Sequence, residues 1–545
     1  MTAWVVRSRR LGRFRDLGRA AVCALALLAA CGGGGGGSGG GTSLLPPLDP
    51  SYHASGKASA GDVFVHLFEW RWADIARECE TFLGPVGYAA AQISPPSEHV
   101  VITGGVGYPW WQRYQTVSYK LDQSRSGTLA EFSDMVSRCN AAGVKIYADA
   151  VINHMTAGAG VGSAGSSYTK TSYPAVPWSA GDFHSSCGGN INYASAASVQ
   201  LCELVGLADL RTEDDGVRSR VAAYLIALHA EGVAGFRIDA AKHMQPRDID
   251  AIVSQVNAAA LAAAPPRALP YFFLEVINNA GEAVTAQQYF GVGYASGGAA
   301  DVTDFQYGYR ITDAFTGRGS ATLASLQTLT NGLLPSDKGV VFVDNHDNQR
   351  GDNLYYASTL AGVPVYDLAT VFMLAHPHGA PSVMSSYGFD RGTQAGRDAG
   401  PPSNAGGVTQ STFDAGGTRC TRTLGSAQVG SWICEHRLGA IAGMVAFRKV
   451  TAGAPLVHFQ VIDGDNNRIT FAREGKGFVA LSRSLGAVFT AATTLPDGNY
   501  CNIAQFNYQP VPPLCSGPAV SVAGGTASIS LPANGAVVLH IGAKL

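Results

Sequence analysis

Short apolar runs alternate with amphipathic stretches along the chain between about residues 63 and 451. Apolar runs of about four to eight residues indicate buried strands, and helical segments between them indicate a parallel sheet. Strands are predicted at 63–68, 88–93, 144–151, 235–239, 271–276, 304–307, 339–344 and 381–386, with a helix near 217–230. Eight strands separated by helical segments predict a (β/α)8 barrel, which is an α/β fold.

Two parts of the chain depart from this alternation. Residues 153–210 are rich in Gly, Ser and Tyr and lack helical periodicity, which predicts an irregular domain inserted after the third strand. From residue 452 to residue 545, short alternating runs follow one another without helices, which predicts a separate antiparallel β-sandwich. The barrel domain is therefore predicted to comprise residues 62–152 and 211–451.

Residues 1–31 are predicted to be an export signal. Six arginines precede an apolar stretch at 20–30, which is too short to span a bilayer. The stretch ends in Leu-Ala-Ala-Cys, which resembles a bacterial lipobox with Cys31 as the lipidated residue, and a Gly-rich linker is predicted at 32–61. We therefore predict export, with attachment to a membrane of the cell envelope through Cys31. Ordinary cleavage that releases a secreted protein is the alternative, and Arg9 with Arg10 leaves a twin-arginine signal open.

Charge and cysteine content narrow the function classes. The 545 residues have a net charge of −2, only 14% of them are charged, and no basic cluster follows residue 20, so no nucleic-acid partner is expected. A zinc site is not expected either, because the usual Cys and His spacings are absent. An even number of cysteines in an exported chain predicts disulfides. Besides Cys23 and Cys31, the cysteines are Cys79, Cys139, Cys187, Cys202, Cys420, Cys434, Cys501 and Cys515. Nearest-neighbour pairing is one of many possibilities, and the sequence does not choose among them.

Three acidic residues lie at or just after the ends of predicted strands. Asp239 and Glu275 lie at the ends of the fourth and fifth strands, and Asp347 follows the seventh. Burying a carboxylate beside an apolar strand is costly unless it is paired or functional, and in such barrels the working residues project from these strand ends. The three carboxylates are therefore predicted to form a catalytic set.

The residues around these acids indicate a division of roles. Arg237 lies two residues before Asp239, on the same face of the strand, where its charge would keep Asp239 ionised. The apolar residues that flank Glu275 would favour its protonated form. One ionised and one protonated carboxylate are what retaining glycoside hydrolysis requires.

These segments resemble the signature regions of a known enzyme family. The strings DAVINH (149–154), GFRIDAAKH (235–243), FFLEV (272–276) and FVDNHDNQR (342–350) resemble, in the same order, those of the α-amylase family of retaining glycoside hydrolases. PWWQRYQTVSY (109–119) and GLADL (206–210) resemble its animal-type branch, and the similarity extends from about residue 63 to the C-terminus. The resemblance implies endo-hydrolysis of internal α-1,4-glucosidic bonds in starch or glycogen.

The resemblance also implies roles for individual residues. Asp239 would be the nucleophile, Glu275 the general acid and then the general base, and Asp347 the residue that binds sugar hydroxyls and stabilises the transition state. The implied substrate-binding residues are Tyr114 as an aromatic platform, His154 and His346 at the reacting sugar, Trp110, Trp111 and Gln115 beside it, Lys242 and His243 on the aglycone side, Tyr193 from the inserted domain, and Arg237. A packing role is the alternative for each tryptophan.

The same comparison implies a calcium site between the inserted domain and the barrel. Asn153 and Asp209 would supply side-chain oxygens, and Gln200 and His243 would supply backbone carbonyls. Without the resemblance, Asn153 could be a turn residue and Asp209 a helix cap.

Chloride activation is not expected, although the animal-type branch often binds chloride through two arginines and an asparagine. Arg237 and Asn345 match two of these positions, but Ser382 occupies the position of the second arginine. The segment 351–358 also differs from the Gly- and His-containing loop of that branch, so substrate contacts of that loop are not transferred.

Two functional classes follow. The favoured one is an endo-acting hydrolase, expected to be a monomer, that acts on α-glucan polysaccharides. A transglycosylating or maltooligosaccharide-forming enzyme of the same fold stays open, because acceptor subsites decide between water and sugar. A non-catalytic, glycan-binding surface lipoprotein is the alternative from another class, and the intact Asp239, Glu275 and Asp347 argue against it.

Overall fold

The computed structural model describes residues 45–49, 51, 63–360, 362–420 and 429–545. The predicted export signal, Cys31 and most of the Gly-rich linker lie outside these described residues. No helix within them is long and apolar enough to cross a membrane.

Eight parallel strands form a closed barrel, as predicted. In chain order they are β1 Phe64–Leu67, β2 Ala90–Ile93, β3 Lys145–Ala150, β4 Gly235–Ile238, β5 Tyr271–Leu274, β6 Asp301–Thr303, β7 Gly339–Val341 and β8 Ala380–Ser385, and β8 pairs with β1 to close the barrel. The strands are almost entirely buried, which is why they appear in the sequence as apolar runs. Their carboxyl ends and the loops that follow form one face of the barrel.

The sixth strand was predicted in the wrong place. The strand is Asp301–Thr303, and the segment predicted as a strand, 304–307, contains the start of a helix. Asp304 caps this helix, since its Oδ1 accepts a hydrogen bond from the backbone N–H of Tyr307 (3.2 Å). The aromatic residues Phe305 and Tyr307 favour a strand by propensity, but the cap and the packing of the helix determine the structure.

Helices surround the barrel. They are α1 Trp72–Glu78, which continues as a π-helical turn at Cys79–Leu83, α2 Leu129–Ala141, α3 Asp215–Ala230, α4 Pro246–Ala262, α5 Phe305–Thr316, α6 Tyr366–Ala375 and α7 Gly439–Val450. The helix predicted near 217–230 is confirmed as α3. Between β5 and β6 the chain forms short 3-10 turns at Ala286–Tyr289 and Tyr294–Ser296.

The segment between β3 and α3 is irregular, as predicted. It contains two small antiparallel strand pairs, Ala159–Val161 with Ser167–Thr169 and His154–Met155 with Ala208–Asp209, and a six-residue helix, Ala196–Leu201. The second pair joins the start of the segment to its end. It therefore holds the insertion at the carboxyl end of β3.

The C-terminal region is a β-sandwich, as predicted. Its strands are β9 Leu456–Ile462, β10 Asp465–Arg473, β11 Gly477–Ser482, β12 Ala487–Ala492, β13 Gly498–Cys501, β14 Ala519–Ala523, β15 Thr526–Leu531 and β16 Ala536–His540. They form two four-stranded sheets with the orders β9-β10-β11-β16 and β12-β15-β14-β13. On β11, Phe478 and Ala480 lie in the core between the sheets, while Val479 and Leu481 belong to the core cluster that includes the barrel. The first sheet therefore packs on both sides.

Four disulfides confirm the prediction of disulfide bonding and select the nearest-neighbour pairing. The pairs are Cys79 with Cys139, Cys187 with Cys202, Cys420 with Cys434, and Cys501 with Cys515. The first joins the π-helical turn after α1 to α2, and the second closes a loop in the inserted segment. Disulfides persist in oxidising compartments, which agrees with export.

Candidate active site

The strand register brings Arg237 and several acids to the same level of the barrel. In the parallel ladder, Arg237 on β4 lies opposite Asp149 on β3. Asp239 and Glu275 directly follow β4 and β5, whose last residues pair with each other. Because alternate residues of a strand face the same side, Arg237 and Asp239 point in the same direction. The register therefore gathers these side chains at the carboxyl end of the barrel.

The guanidinium of Arg237 contacts three carboxylates. Its Nη1 lies 2.6 Å from Oδ1 of Asp149 and 2.9 Å from Oδ1 of Asp239. Its Nη2 lies 2.5 Å from Oε1 of Glu275. All four residues are buried. Asp239 and Glu275 therefore bind neighbouring nitrogens of one guanidinium, which is compatible with the separation of about 5–5.5 Å expected for a retaining pair.

One guanidinium faces several carboxylates in this cluster. Burial raises the pKa of Asp149 and the pKa of Asp239 to about 7, although the charge of Arg237 opposes the rise. Burial and repulsion from Glu275 raise the pKa of Asp347 to about 8. Because one guanidinium cannot neutralise all these carboxylates, the cluster retains at least one proton near neutral pH. A retained proton is what a general acid has to deliver.

The surroundings of Glu275 differ from the predicted apolar environment. One carboxylate oxygen faces Arg237, and the other accepts a hydrogen bond from the backbone N–H of Ala240 (2.9 Å). The flanking residues Leu274 and Val276 belong instead to the hydrophobic core. The expectation was wrong because neighbouring residues of an extended chain point to opposite sides, so apolar neighbours in sequence need not surround the carboxylate.

Asp347 and His346 lie beside this cluster. Nε2 of His346 is 3.3 Å from Oδ2 of Asp347. The ring of His346 stacks on that of Tyr114, with centroids 4.8 Å apart and an interplanar angle of 8°. The hydroxyl of Tyr114 donates a hydrogen bond to Oδ2 of Asp149 (2.9 Å). The three predicted catalytic carboxylates, together with Tyr114, Arg237 and His346, therefore lie in one contiguous group.

The segment after β2 supplies the predicted aromatic residues. Trp110 opens a 3-10 turn, is largely buried, and donates from its indole N–H to the carbonyl of Arg397 (2.9 Å). Trp111 is half-buried. Oε1 of Gln115 accepts a hydrogen bond from the hydroxyl of Thr156 (2.8 Å). Trp110 is therefore both packed and hydrogen-bonded, whereas Trp111 retains an exposed surface.

Lys242, His243 and Tyr193 meet at another side of the group. The ammonium of Lys242 donates to the carbonyl of Ile277 (2.6 Å) and pairs with the carboxylate of Glu282. The ring centroid of Tyr193, on the inserted segment, lies 5.0 Å from this ammonium and 6.1 Å from the ring of His243. The two residues predicted for the aglycone side therefore lie next to Tyr193, the substrate-binding residue predicted from the inserted domain.

Comparisons with known proteins decide the family. The family model of the α-amylase catalytic domain matches residues 93–380, and that of the α-amylase C-terminal all-beta domain matches residues 460–542. The chain belongs to the α-amylase family. It is 47% identical over 486 residues to an α-amylase of Thermomonospora curvata, covering 88% of this chain and 73% of that protein. It is 41% identical over 516 residues to the pancreatic α-amylase of Sus scrofa, covering 90% of this chain and 96% of that protein. A solved structure of an α-amylase I variant from Eisenia fetida in complex with maltohexaose superposes with a TM-score of 0.79 at 35% identity, covering 90% of this chain and 99% of that one.

The residues that the α-amylase resemblance assigns to calcium lie close together. Nδ2 of Asn153 is 3.3 Å from Oδ1 of Asp209. Gln200 lies in the six-residue helix of the insertion, and the neighbouring carbonyl of Val199 is 2.9 Å from Nδ1 of His243. Burial raises the pKa of Asp209 to about 6. Asp209 and the amide of Asn153 offer hard oxygen atoms of the kind that Ca2+ prefers, and the resemblance adds the carbonyls of Gln200 and His243.

His184 holds the other oxygen of Asp209. Its Nδ1 lies 2.7 Å from Oδ2 of Asp209, and its Nε2 lies 2.9 Å from Oε1 of Glu213. Burial disfavours the charged ring, but these two carboxylates outweigh it and raise the pKa of His184 to about 9. Within the described part of the chain, no group of three or more His, Cys, Asp or Glu side chains forms a metal site by itself. A calcium site here would therefore depend on the amide of Asn153 and on backbone carbonyls.

His154 is fixed by protein contacts on both ring nitrogens. Its Nε2 is 3.0 Å from the carbonyl of Tyr114, and its Nδ1 is 3.2 Å from Nδ2 of Asn153. Burial lowers the pKa of His154, so the ring is neutral near pH 7. His154 therefore joins the Tyr114 segment to the predicted calcium residues, and its contact with a sugar stays a prediction.

A small cavity of about 20 Å3 is lined by Arg237 and by Asn345 and Ser382, the residues that the resemblance matches to the chloride positions of the animal-type branch. Its lining also includes His66. Burial and the charge of Arg237 lower the pKa of His66 to about 3, so its ring is neutral. The uncharged Ser382 supplies no second cation. An anion here would have only Arg237, which three carboxylates already contact.

Several residues of the group were not singled out from the sequence. Asp149 is the second-last residue of β3 and lies opposite Arg237 in the register, and the strand-end argument that found Asp239 could have found it too. Glu282, His184 and Arg350 had no comparable signal. They lie in loops and turns. The fold brings Glu282 to Lys242 and His184 to Asp209, and a local turn brings Arg350 to the carbonyl of His346, four residues earlier.

Proposed function

We propose that this protein is an endo-acting α-amylase that hydrolyses internal α-1,4-glucosidic bonds of starch, glycogen and related polysaccharides with retention of configuration. The observation that carries the proposal is that Arg237 contacts both Asp239 and Glu275, with Asp347 beside them. Relatives named α-amylase and a structural neighbour that binds maltohexaose support the polysaccharide substrate.

In this proposal the carboxylates act in sequence. Asp239 attacks the anomeric carbon in its ionised form, which the charge of Arg237 favours against burial, while Glu275 protonates the departing glycosidic oxygen. The glycosyl–Asp239 ester then reacts with water, whose proton returns to Glu275, and the released sugar retains its configuration. Asp347 binds hydroxyls of the reacting sugar and stabilises the oxocarbenium-like transition state.

The binding roles follow from the surroundings of the carboxylates. We assign Tyr114, His154 and His346 to the reacting sugar, and Trp110, Trp111 and Gln115 to the neighbouring part of the cleft. Lys242 and His243 would contact the aglycone side, and Tyr193 would reach the substrate from the inserted domain. The hydrogen bonds and stacking of Tyr114, His346 and Lys242 support these roles because they fix the side chains before a substrate arrives.

Soluble starch is the direct test of the proposed function. We expect the purified protein to release reducing ends and to destroy iodine staining early in the reaction, as internal cleavage does. The first products should be α-anomers. Failure to release reducing ends above the level of a Glu275→Gln variant would contradict the enzyme assignment. If a maltooligosaccharide is supplied instead of starch, products longer than that oligosaccharide would identify a transglycosylase.

We further propose that a calcium ion binds between the insertion and the barrel. The side chains of Asn153 and Asp209, with the backbone carbonyls of Gln200 and His243, would hold it. When bound, the ion would supply structural cross-linking beside the cleft rather than a reactive group. Chloride dependence is not part of the proposal, because Ser382 brings no charge to the cavity beside Arg237.

Removal of calcium is expected to lower the stability of the protein. At free calcium about 100 times the dissociation constant, the ion contributes about 2.7 kcal/mol to the free energy of unfolding. Thermal unfolding with and without a chelator measures this difference. Asp209→Asn should abolish the response, while Glu203→Gln, which removes a carboxylate of the insertion that pairs with Lys170 (2.7 Å), should retain it. An unchanged chelator response in Asp209→Asn would contradict the site.

For the remaining organisation we propose the boundaries predicted above: residues 1–31 as export signal, 32–61 as linker, 62–152 and 211–451 as barrel, 153–210 as calcium-binding insertion and 452–545 as C-terminal domain. We also propose a monomer that is lipidated at Cys31. The four disulfides support export. Incorporation of a fatty-acid label into the wild type, but not into Cys31→Ser, would test the lipid anchor.

A further inference from the structure

Arg350 is a buried cation enclosed by aromatic rings. It lies in the 3-10 turn that begins directly after Asp347. Its guanidinium carbon lies between 4.4 and 5.5 Å from four ring centroids, those of Phe389, Trp110, Phe68 and Tyr387. Within the described residues, no carboxylate lies within 4.0 Å of its nitrogens. A buried cation without such a partner is costly, so its hydrogen bonds and ring contacts must compensate.

The hydrogen bonds of Arg350 go to three different parts of the candidate site. Nη1 donates to the carbonyl of His346 (2.6 Å). Nη2 donates to the hydroxyl of Tyr387 (2.9 Å). Nε donates to the carbonyl of Arg397 (3.0 Å), which also accepts the indole N–H of Trp110 (2.9 Å). The guanidinium of Arg350 is therefore linked to the segment of His346 and Asp347 and to the loop that follows β8. Through the carbonyl of Arg397 it is also linked to Trp110.

We propose that Arg350 is a positioning residue that fixes the geometry of His346, Asp347 and Trp110 relative to one another. The inference rests on the proposed function, since the three residues matter together only if a glucan binds there. The planar guanidinium fits this role, because its donors have fixed directions while both of its faces can stack on rings. A lysine at this position would retain the charge but not the three directed hydrogen bonds.

The charge of Arg350 has a separate effect from its hydrogen bonds. It contributes to lowering the pKa of Asp347, against the larger effects of burial and of Glu275. The charged or titratable groups that face Asp347 are Glu275, Asp239, Arg237, Arg350, His346 and Tyr114. Removing the charge of Arg350 therefore raises the pKa of Asp347 further. As the pH falls, activity that needs ionised Asp347 is then lost at a higher pH than in the wild type.

Two substitutions separate charge from geometry. We expect Arg350→Met to lower kcat/KM on starch by about 10- to 100-fold, as misplacement of a binding group by about 1 Å does. It should also move the acid limb of the pH profile of kcat/KM to higher pH. Arg350→Lys should keep the wild-type acid limb but show a raised KM. In both variants, the change of tryptophan fluorescence on adding maltohexaose should be weaker than in the wild type.

Arg448 provides a matched control. It is also buried, and it donates to the carbonyls of His376 and Gly379 in the segment between α6 and β8, outside the candidate site. Arg448→Lys should lower thermal stability without moving the acid limb or the fluorescence response. The proposal is overturned if folded Arg350→Met and Arg350→Lys keep the wild-type KM, acid limb and fluorescence response. A wild type that binds maltohexaose but releases no reducing ends would instead contradict the proposed function, and the fluorescence comparison would still test Arg350.

Discussion

Replacing Asp239 by Asn is expected to abolish turnover of both starch and an α-maltooligosaccharyl fluoride, whereas replacing Glu275 by Gln should abolish turnover of starch but leave the first step on the fluoride fast. An amide at position 239 cannot form the glycosyl ester, so no substrate reacts, and kcat should fall by about 10^5- to 10^6-fold. Fluoride leaves without protonation. The first step in Glu275→Gln should therefore remain fast on the fluoride, while kcat on starch falls by about 10^2- to 10^4-fold.

Azide makes this comparison sharper. Without the general base, the glycosyl–Asp239 ester of Glu275→Gln should accumulate because water is not activated. Azide needs no base, so it should react with the ester and give an α-glycosyl azide, which restores turnover. Asp313→Asn, which removes an exposed carboxylate of α5 that pairs with Arg318 (3.6 Å), should behave as the wild type. Azide rescue of Asp239→Asn with the same α-product, or its absence in Glu275→Gln, would contradict the assigned roles.

Arg237→Met is expected to lose both activity and stability. Three buried carboxylates contact Arg237, and removal of one partner of a buried ion pair costs about 3–5 kcal/mol. The charge of Arg237 also lowers the pKa of Asp239. In its absence that pKa rises, Asp239 is protonated at a higher pH, and the acid limb of kcat/KM should move to higher pH.

The loss of stability should depend on pH in a defined direction. Asp149 and Asp239 hold protons up to about pH 7 in the folded chain, and in the unfolded chain they release them near pH 4. Protonated carboxylates need no cation, so Arg237→Met should be less destabilised at pH 5 than at pH 8. Denaturant unfolding at the two pH values measures the difference.

Arg437→Met is the control for this experiment. The side chain of Arg437 is largely buried and its Nη2 lies 2.5 Å from Oε2 of Glu78, remote in sequence from the catalytic group. Its loss should destabilise the protein, while kcat/KM per folded molecule and the acid limb stay unchanged. An Arg237→Met variant with the wild-type acid limb and nearly wild-type activity would contradict the central place given to Arg237.

The accuracy of the sequence predictions depended on how local the deciding interactions are. Buried strands were found because their apolar runs are continuous, and the exception was 304–307, where a side-chain cap from Asp304 determined a helix. The strand-end argument identified Asp239, Glu275 and Asp347, and the family resemblance supplied their roles. The expectation that apolar residues surround Glu275 was wrong, because the groups that contact its carboxylate come from other segments of the chain.

By itself, the sequence determined the alternation of strands and helices, the change to an all-β region near residue 452, and the three acids at or after strand ends. These features depend on periodicity and on the cost of burying charge, which are properties of short segments. Tertiary structure alone decided that the guanidinium of Arg237 contacts Asp149, Asp239 and Glu275. It also decided that each cysteine pairs with its nearest neighbour in sequence and that Arg350 links His346 to Trp110. Register and loop packing set these distances, and both depend on contacts between segments far apart in the chain.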